Sequence, residues 1–301
     1  AMWCCVGTGM EDHGKYGQFV WTHDKGVKAE DDALYVNLFV ASELNWKDRK
    51  MILRQQTAFP YAETSVIEVT KGKGTFILKV RKPSWCDNFA VTGVGFDINS
   101  YEENGFVCIK RKWKKGDKLK ISMPMHASIK PMVNVPQYVA IMYGPILLGM
   151  KTGTEDMRSL IADDSRFGQY AGGKKLPLNK APILLPKHLN DIAKDLKPIS
   201  GKPLHFKLGT HMENAIEGEL QPFFEIHDSR YMMYWLALGE NEYRNYMQKL
   251  AAEERESQEL EARTVDKVSP GEQQPETDHR MEADATEHGN TEGIFFRDAK
   301  D

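Results

Sequence analysis

The chain has 301 residues, enough for two domains, and its 41% hydrophobic and 28% charged residues are the balance of a globular protein. A formal net charge of -3 offers no attraction to nucleic acid or to an anionic membrane surface, so neither is expected as a partner. There is no run of about 18 apolar residues, so no membrane span is expected. The four cysteines, Cys4, Cys5, Cys86 and Cys108, are too few and too scattered for a disulfide scaffold. Cys86 and Cys108 either pair or pack as thiols.

The first stretch with chemistry is Met2-Trp3-Cys4-Cys5-Val6-Gly7-Thr8-Gly9-Met10-Glu11-Asp12-His13. A thiolate beside a metal ion or a cation is stabilised below its free pKa of about 8.5, which makes Cys4 or Cys5 a candidate nucleophile or metal ligand. The competing readings are a pair of packed thiols, or a strained disulfide between neighbours. A closed structural zinc site is a poor match, since two adjacent cysteines with Glu11 and His13 nearby do not have the usual ligand spacing. Asp12 to Trp21 reads as one or two helical turns with Tyr16, Phe19 and Val20 on one side.

From Ala33 the period changes. Residues 34–40, 65–70, 75–80, 106–111 and 118–123 are rich in β-branched and aromatic side chains, and turn signals such as Lys71-Gly72-Lys73-Gly74, Glu103-Asn104-Gly105 and Lys115-Gly116-Asp117 separate them. This spacing predicts an antiparallel β-sandwich over about residues 26–131. A second β-rich domain is expected over residues 132–239, with a strand from Tyr138, a break at Gly144-Pro145, and another apolar run to Gly149. Residues 150–185 read as a polar surface insertion, with strands resuming at 203–208, 222–226 and 231–238. The turn at Asp228 and Arg230 reads first as a mutually paired turn and the aromatic residues after it as core, with sugar contact second. The basic run of residues 110–115 reads as a solvated strand end. A helix is expected over 240–263, with Tyr243, Tyr246, Met247 and Leu250 as a short apolar stripe, and residues 264–301 read as a poorly ordered tail.

The Cys4-Cys5 segment resembles that of glycoside hydrolase families 127 and 146, the β-L-arabinofuranosidases. Further phrases resemble their middle β-domain: Ser42-Glu43-Leu44-Asn45-Trp46, Thr57-Ala58-Phe59-Pro60-Tyr61, Arg81-Lys82-Pro83-Ser84-Trp85 and Trp113-Lys114-Lys115-Gly116-Asp117. Residues 223–235 resemble a segment of Bacteroidetes-type members. The resemblance implies a mainly β chain: two antiparallel β-sandwich domains after the tail of a missing (α/α)6 barrel (residues 1–25), one C-terminal helix, and the start of a further β-domain from residue 264.

It also implies a retaining hydrolase that releases L-arabinofuranose. Cys4 is then the nucleophile and a zinc ligand and Cys5 a second zinc ligand, the other ligands and the acid/base Glu falling before Ala1. The implied partner is an arabinose-containing oligo- or polysaccharide, and the implied location is periplasmic or extracellular. The chain alone is then expected to be inactive. The rival reading is a non-catalytic carbohydrate-binding or structural β-sandwich protein. Oligomeric state is left open.

Overall fold

The structure, a computed structural model, describes residues 3–155 and 180–265, with side chains for 7–155 and 180–259. The described residues up to Leu250 form one compact unit and those from Ala251 another. The chain is mainly β, with sandwich-like sheets and a helix at each end of the described residues.

Helix α1 (Trp3–Val20) is longer than the one or two turns expected over 12–21, and Trp21 opens a strand instead of closing the helix. Four glycines, at 7, 9, 14 and 17, hid most of this helix from a propensity reading. The chain passes directly into β1 (Trp21–Asp24), where Val20 and Trp21 are buried and the Val20 carbonyl accepts a hydrogen bond from Asn37 N at 3.0 Å.

The first sandwich has two five-stranded sheets. One runs β1, β2 (Ala33–Val36), β6 (Lys73–Arg81), β9 (Phe106–Lys114), β8 (Tyr101–Glu103). The other runs β3 (Ser42–Trp46), β4 (Met51–Thr57), β5 (Thr64–Lys71), β10 (Lys118–Ser122), β7 (Ala90–Gly93). Every pairing is antiparallel except β2 with β6, which is parallel and so departs from the purely antiparallel sandwich expected. Alternation puts Met51, Leu53 and Gln55, then Ile67 and Val69, then Phe76, Leu78 and Val80 on the inner faces, where Trp46 and Trp113 complete the core. Gly72, at φ 85°, makes the one-residue turn by which the chain passes from β5 in one sheet to β6 in the other, a conformation that side chains rarely adopt.

The second domain is one ten-stranded sheet. Its path is β15 (Leu196–Pro198), β16 (Phe206–Leu208), β18 (Leu220–Pro222), β13 (Ile146–Gly153), β12 (Tyr138–Tyr143), β20 (Tyr234–Ala237), β14 (Ile183–Leu184), β17 (Met212–Glu213). Two further strands flank it: β11 (Ala127–Pro131) on β12 and β19 (Arg230–Met232) on β13. Strand β11 therefore belongs with the second sheet, so the changeover falls between Ser122 and Ala127. The Gly144-Pro145 break is the expected two-residue turn, pairing Tyr143 with Ile146.

Three details differ from the expectation. Residues 220–226 form β18 followed by a 3-10 turn, Phe223–Glu225, instead of a strand over 222–226. The strand expected over 231–238 is two strands, β19 and β20, on different partners. Within the insertion expected at the surface, Ile183 and Leu184 are buried in a strand that runs parallel to β20, while residues 156–179 lie outside the described residues. Helix α2 (Glu240–Val265) covers the expected 240–263, and residues 266–301 of the expected tail lie outside the described residues.

Candidate functional site

Both predicted site residues, Cys4 and Cys5, fall in the first turn of α1, on successive positions about 100° apart around its axis. Their side chains lie outside those described. Glu11 and His13, their polar neighbours in sequence, are engaged elsewhere: Glu11 accepts from Lys15 Nζ at 3.0 Å, and the His13 ring meets Tyr16 edge-on at 5.5 Å. Among the described residues no group of three His, Cys, Asp or Glu side chains could hold a metal ion. Two thiolates suit zinc in kind but are fewer than the three or four protein ligands a zinc site takes, so the described residues alone do not fit a complete zinc centre.

The surroundings of α1 explain what sets its position. From Gly7 to Phe19 every residue is exposed, including Met10, Tyr16 and Phe19, and a Cβ on any of its four glycines would meet nothing within 4 Å. Its C-terminal end is anchored by Val20 and Trp21 in the first sandwich.

The other two cysteines are accounted for. Cys86 and Cys108 are both buried free thiols, and burial pushes both upward from the ordinary thiol pKa. Lys110 pairs with Asp31 at 2.7 Å, Arg111 lies 3.9 Å over the Phe96 ring, and Trp113 is buried, which makes the basic run the strand end expected. In the turn at 228–230, Asp228 has φ 49° and Arg230 Nε donates to the Glu155 carbonyl at 2.7 Å. Of the aromatic residues that follow, Trp235 is core whereas Tyr231 and Tyr234 are exposed.

Sequence reasoning missed a polar group between the two β-domains. The turn joining β4 to β5 brings Tyr61 and Glu63, and the turn joining β15 to β16 brings Lys202 and His205, to a cleft of about 460 Å³ that Tyr143 and Phe206 also line. The Tyr61 hydroxyl donates to Glu225 Oε1, raising the phenol's pKa. Lys202 Nζ donates to both oxygens of Glu219 at 2.9 and 3.0 Å. His205 Nδ1 lies 2.8 Å from the Pro203 carbonyl, an acceptor only, so Nδ1 carries the hydrogen. Its Nε2 then faces Glu219 Oε1 and Glu225 Oε2, each at 3.8 Å. Tyr61 and Glu225 are 164 residues apart, which is why no local pattern announced them.

Comparison with known proteins identifies part of the chain. Residues 33–125 match the family described as "Beta-L-arabinofuranosidase, GH127 middle domain". Residues 128–237 match a domain of unknown function, DUF4986, and residues 259–301 a second family of unknown function, DUF6805. Among solved structures, one titled as a GH127 β-arabinofuranosidase is 21% identical, with 69% of this chain and 35% of that chain covered and a TM-score of 0.47. A GH127 β-L-arabinofuranosidase from Geobacillus stearothermophilus T6 is 17% identical, with coverages of 74% and 35% and a TM-score of 0.48. A third, titled "Glycoside hydrolase", is 19% identical, with coverages of 68% and 36% and a TM-score of 0.42. The chain thus spans about a third of the length of these structures. A search of curated proteins gives no match.

Proposed function

From a chain whose residues 33–125 are a GH127-type middle domain, we propose a part of a retaining glycoside hydrolase that releases L-arabinofuranose from plant-type glycans, with Cys4 as nucleophile. The observation that carries this is the order of elements: the helix bearing Cys4 and Cys5 runs without a loop into the first strand of that middle domain's sandwich. Cys4 and Cys5 would be two ligands of a zinc ion, and the resemblance assigns the others, with the acid/base Glu, to residues before Ala1. Bound zinc would supply a thiolate that stays ionised at neutral pH. In the reaction the Cys4 sulfur forms a bond to the anomeric carbon as the glycosidic oxygen leaves with a proton from the acid. The same group then takes a proton from the water that displaces sulfur, which regenerates the thiolate with retained configuration. The β-domains hold the helix that carries the cysteines. Use of plant glycans also favours a periplasmic or extracellular location, which cell fractionation checks.

The test compares this chain with a longer protein that includes the residues encoded ahead of Ala1, using an aryl β-L-arabinofuranoside. The longer protein is expected to hydrolyse it, with Cys4→Ser lowering the rate at least about a thousandfold. Cys5→Ser is expected to lower zinc content, and the 301-residue chain is expected to be inactive. Activity of that chain alone, or full activity of Cys4→Ser, would overturn the proposal.

A further inference from the structure

We propose that the cleft between the two β-domains is a binding site for a neutral oligosaccharide, separate from the cysteine centre; only the choice of sugar as ligand leans on the glycosidase reading. The cleft's volume of about 460 Å³ is within the range of about 300–1,000 Å³ typical of small-molecule sites. It is walled by Pro60, Met125 and Phe206, with the half-exposed Tyr61 ring, edge-on to Phe224 at 6.5 Å, offering a face to a sugar ring.

Its polar groups are short of donors. His205 Nε2 faces the Glu219 and Glu225 carboxylate oxygens at 3.8 Å each, too far for direct bonds and spaced for a shared hydroxyl. At a second place in the cleft, Glu63 uses Oε1 to accept from Met125 N at 3.0 Å, and its other oxygen accepts from nothing among the described residues. The Tyr143 hydroxyl beside it makes no hydrogen bond among the described residues, and burial with the nearby Glu63 charge raises its pKa. Two separate acceptor groups call for a ligand with several hydroxyls, whereas one ammonium group would satisfy one of them. Three carboxylates, Glu63, Glu219 and Glu225, against Lys202 disfavour phosphate or an acidic sugar. Finally, Leu204 lines the cleft at φ 60°, a conformation that a branched side chain rarely adopts and that is concentrated at ligand sites.

The experiment is calorimetric titration of the 301-residue chain with neutral arabino-, xylo- and gluco-oligosaccharides. The expected result is saturable binding with Kd of about 1 mM, weakened about fivefold or more by Tyr61→Ala and by Tyr143→Phe. Tyr143→Phe keeps the ring and tests the hydroxyl without unpacking the sheet. Tyr101→Ala, on the edge of the first sandwich, should leave binding unchanged. No saturable binding to any of the three, or binding indifferent to both tyrosine substitutions, would overturn the site and leave the Cys4 reading standing. Binding of xylo- or gluco- but not arabino-oligosaccharides would uphold the site while counting against the arabinoside proposed as substrate.

Discussion

The substitution Arg49→Met tests how the first sandwich is locked. Arg49 follows β3 of one sheet and reaches across to the other, where Nη1 donates to Asp32 Oδ2 at 2.8 Å and to the Ala29 carbonyl at 2.6 Å, and Nη2 donates to the Thr75 carbonyl. The guanidinium also lies 5.4 Å from the Trp46 ring centre and 5.8 Å from that of Phe76. The side chains of Arg49 and Asp32 are only 13% and 15% exposed, so solvent screens the pair weakly. Methionine can fill much of the space but leaves Asp32, among the described residues, with the Gly26 amide at 3.0 Å as the remaining side-chain partner for a largely buried charge. Removing one member of a buried pair costs about 3–5 kcal/mol, and part of each side chain is still wet, so a loss of about 3 kcal/mol is expected. Urea denaturation followed by tryptophan fluorescence measures it. The double variant Arg49→Met, Asp32→Asn should recover more than about 1 kcal/mol of that loss, because the stranded charge is gone. A loss below about 0.5 kcal/mol for Arg49→Met would refute the argument, since a pair worth so little is a solvated surface pair.

Trp235 is fully buried with its indole N–H unpartnered among the described residues, so Trp235→Phe should cost less than about 1.5 kcal/mol in urea denaturation and Trp235→Ala about 3–5. Folding raises the pKa of Cys86, Cys108, Tyr61 and Tyr143, so each contributes stability that is complete below its unfolded pKa and lost as pH rises from there through its higher folded pKa; stability should fall above about pH 8.5 and be unaffected by these groups below it. Cys86 and Cys108 should also resist alkylation until the chain unfolds, as mass spectrometry of labelled peptides would show. Gly144→Ala puts a Cβ 2.6 Å from Met125 Cγ at a residue with φ 55°, and should cost about 1–3 kcal/mol; wild-type stability would contradict the close packing beneath the cleft. In hydrogen exchange, the α1 amides of the 301-residue chain should exchange faster than those of β6 and β9, and slow down in a longer protein that covers the helix.

The first sandwich was legible because its longer strands carry their own instructions. Residues 64–71 alternate inward and outward with Ser65, Ile67 and Val69 buried, and Pro60 marks the turn before them and Gly72 the turn after. The second sheet was harder to read because most of its strands are two to four residues long, too short to show a period, and β13 changes partner along its length from β12 to β18 and β19. Ile183 and Leu184 look like part of a polar loop until β20 pairs with them. The cysteine pair was visible as chemistry and its meaning came from resemblance. The cleft was invisible for the opposite reason: Tyr61, Glu63, Lys202, His205, Glu219 and Glu225 are ordinary surface residues singly, and only the packing of two domains brings them together.

The architecture divides the work around Cys4 and Cys5 between two kinds of support. Four glycines in an exposed helix cost about 4 kcal/mol relative to alanine, and no side chain from Gly7 to Phe19 is buried to offset this. Gly7, Gly9, Gly14 and Gly17 therefore work against helix formation. They leave α1 without side-chain bulk at four positions, and Met10, Tyr16 and Phe19 are exposed along it. The sandwich fixes the other end: Val20 and Trp21 sit in its core, the Trp21 indole donates to Ser42 at 3.0 Å, and Asn37 holds the Val20 carbonyl. A 1.5 Å rise per residue puts Cys4 about 25 Å from that anchor. A small tilt at Val20 would therefore move the thiols by several ångströms. The first sandwich can set the direction of the helix, but under the function proposed for them the cysteines would need a second contact near their own end to be held to catalytic tolerance.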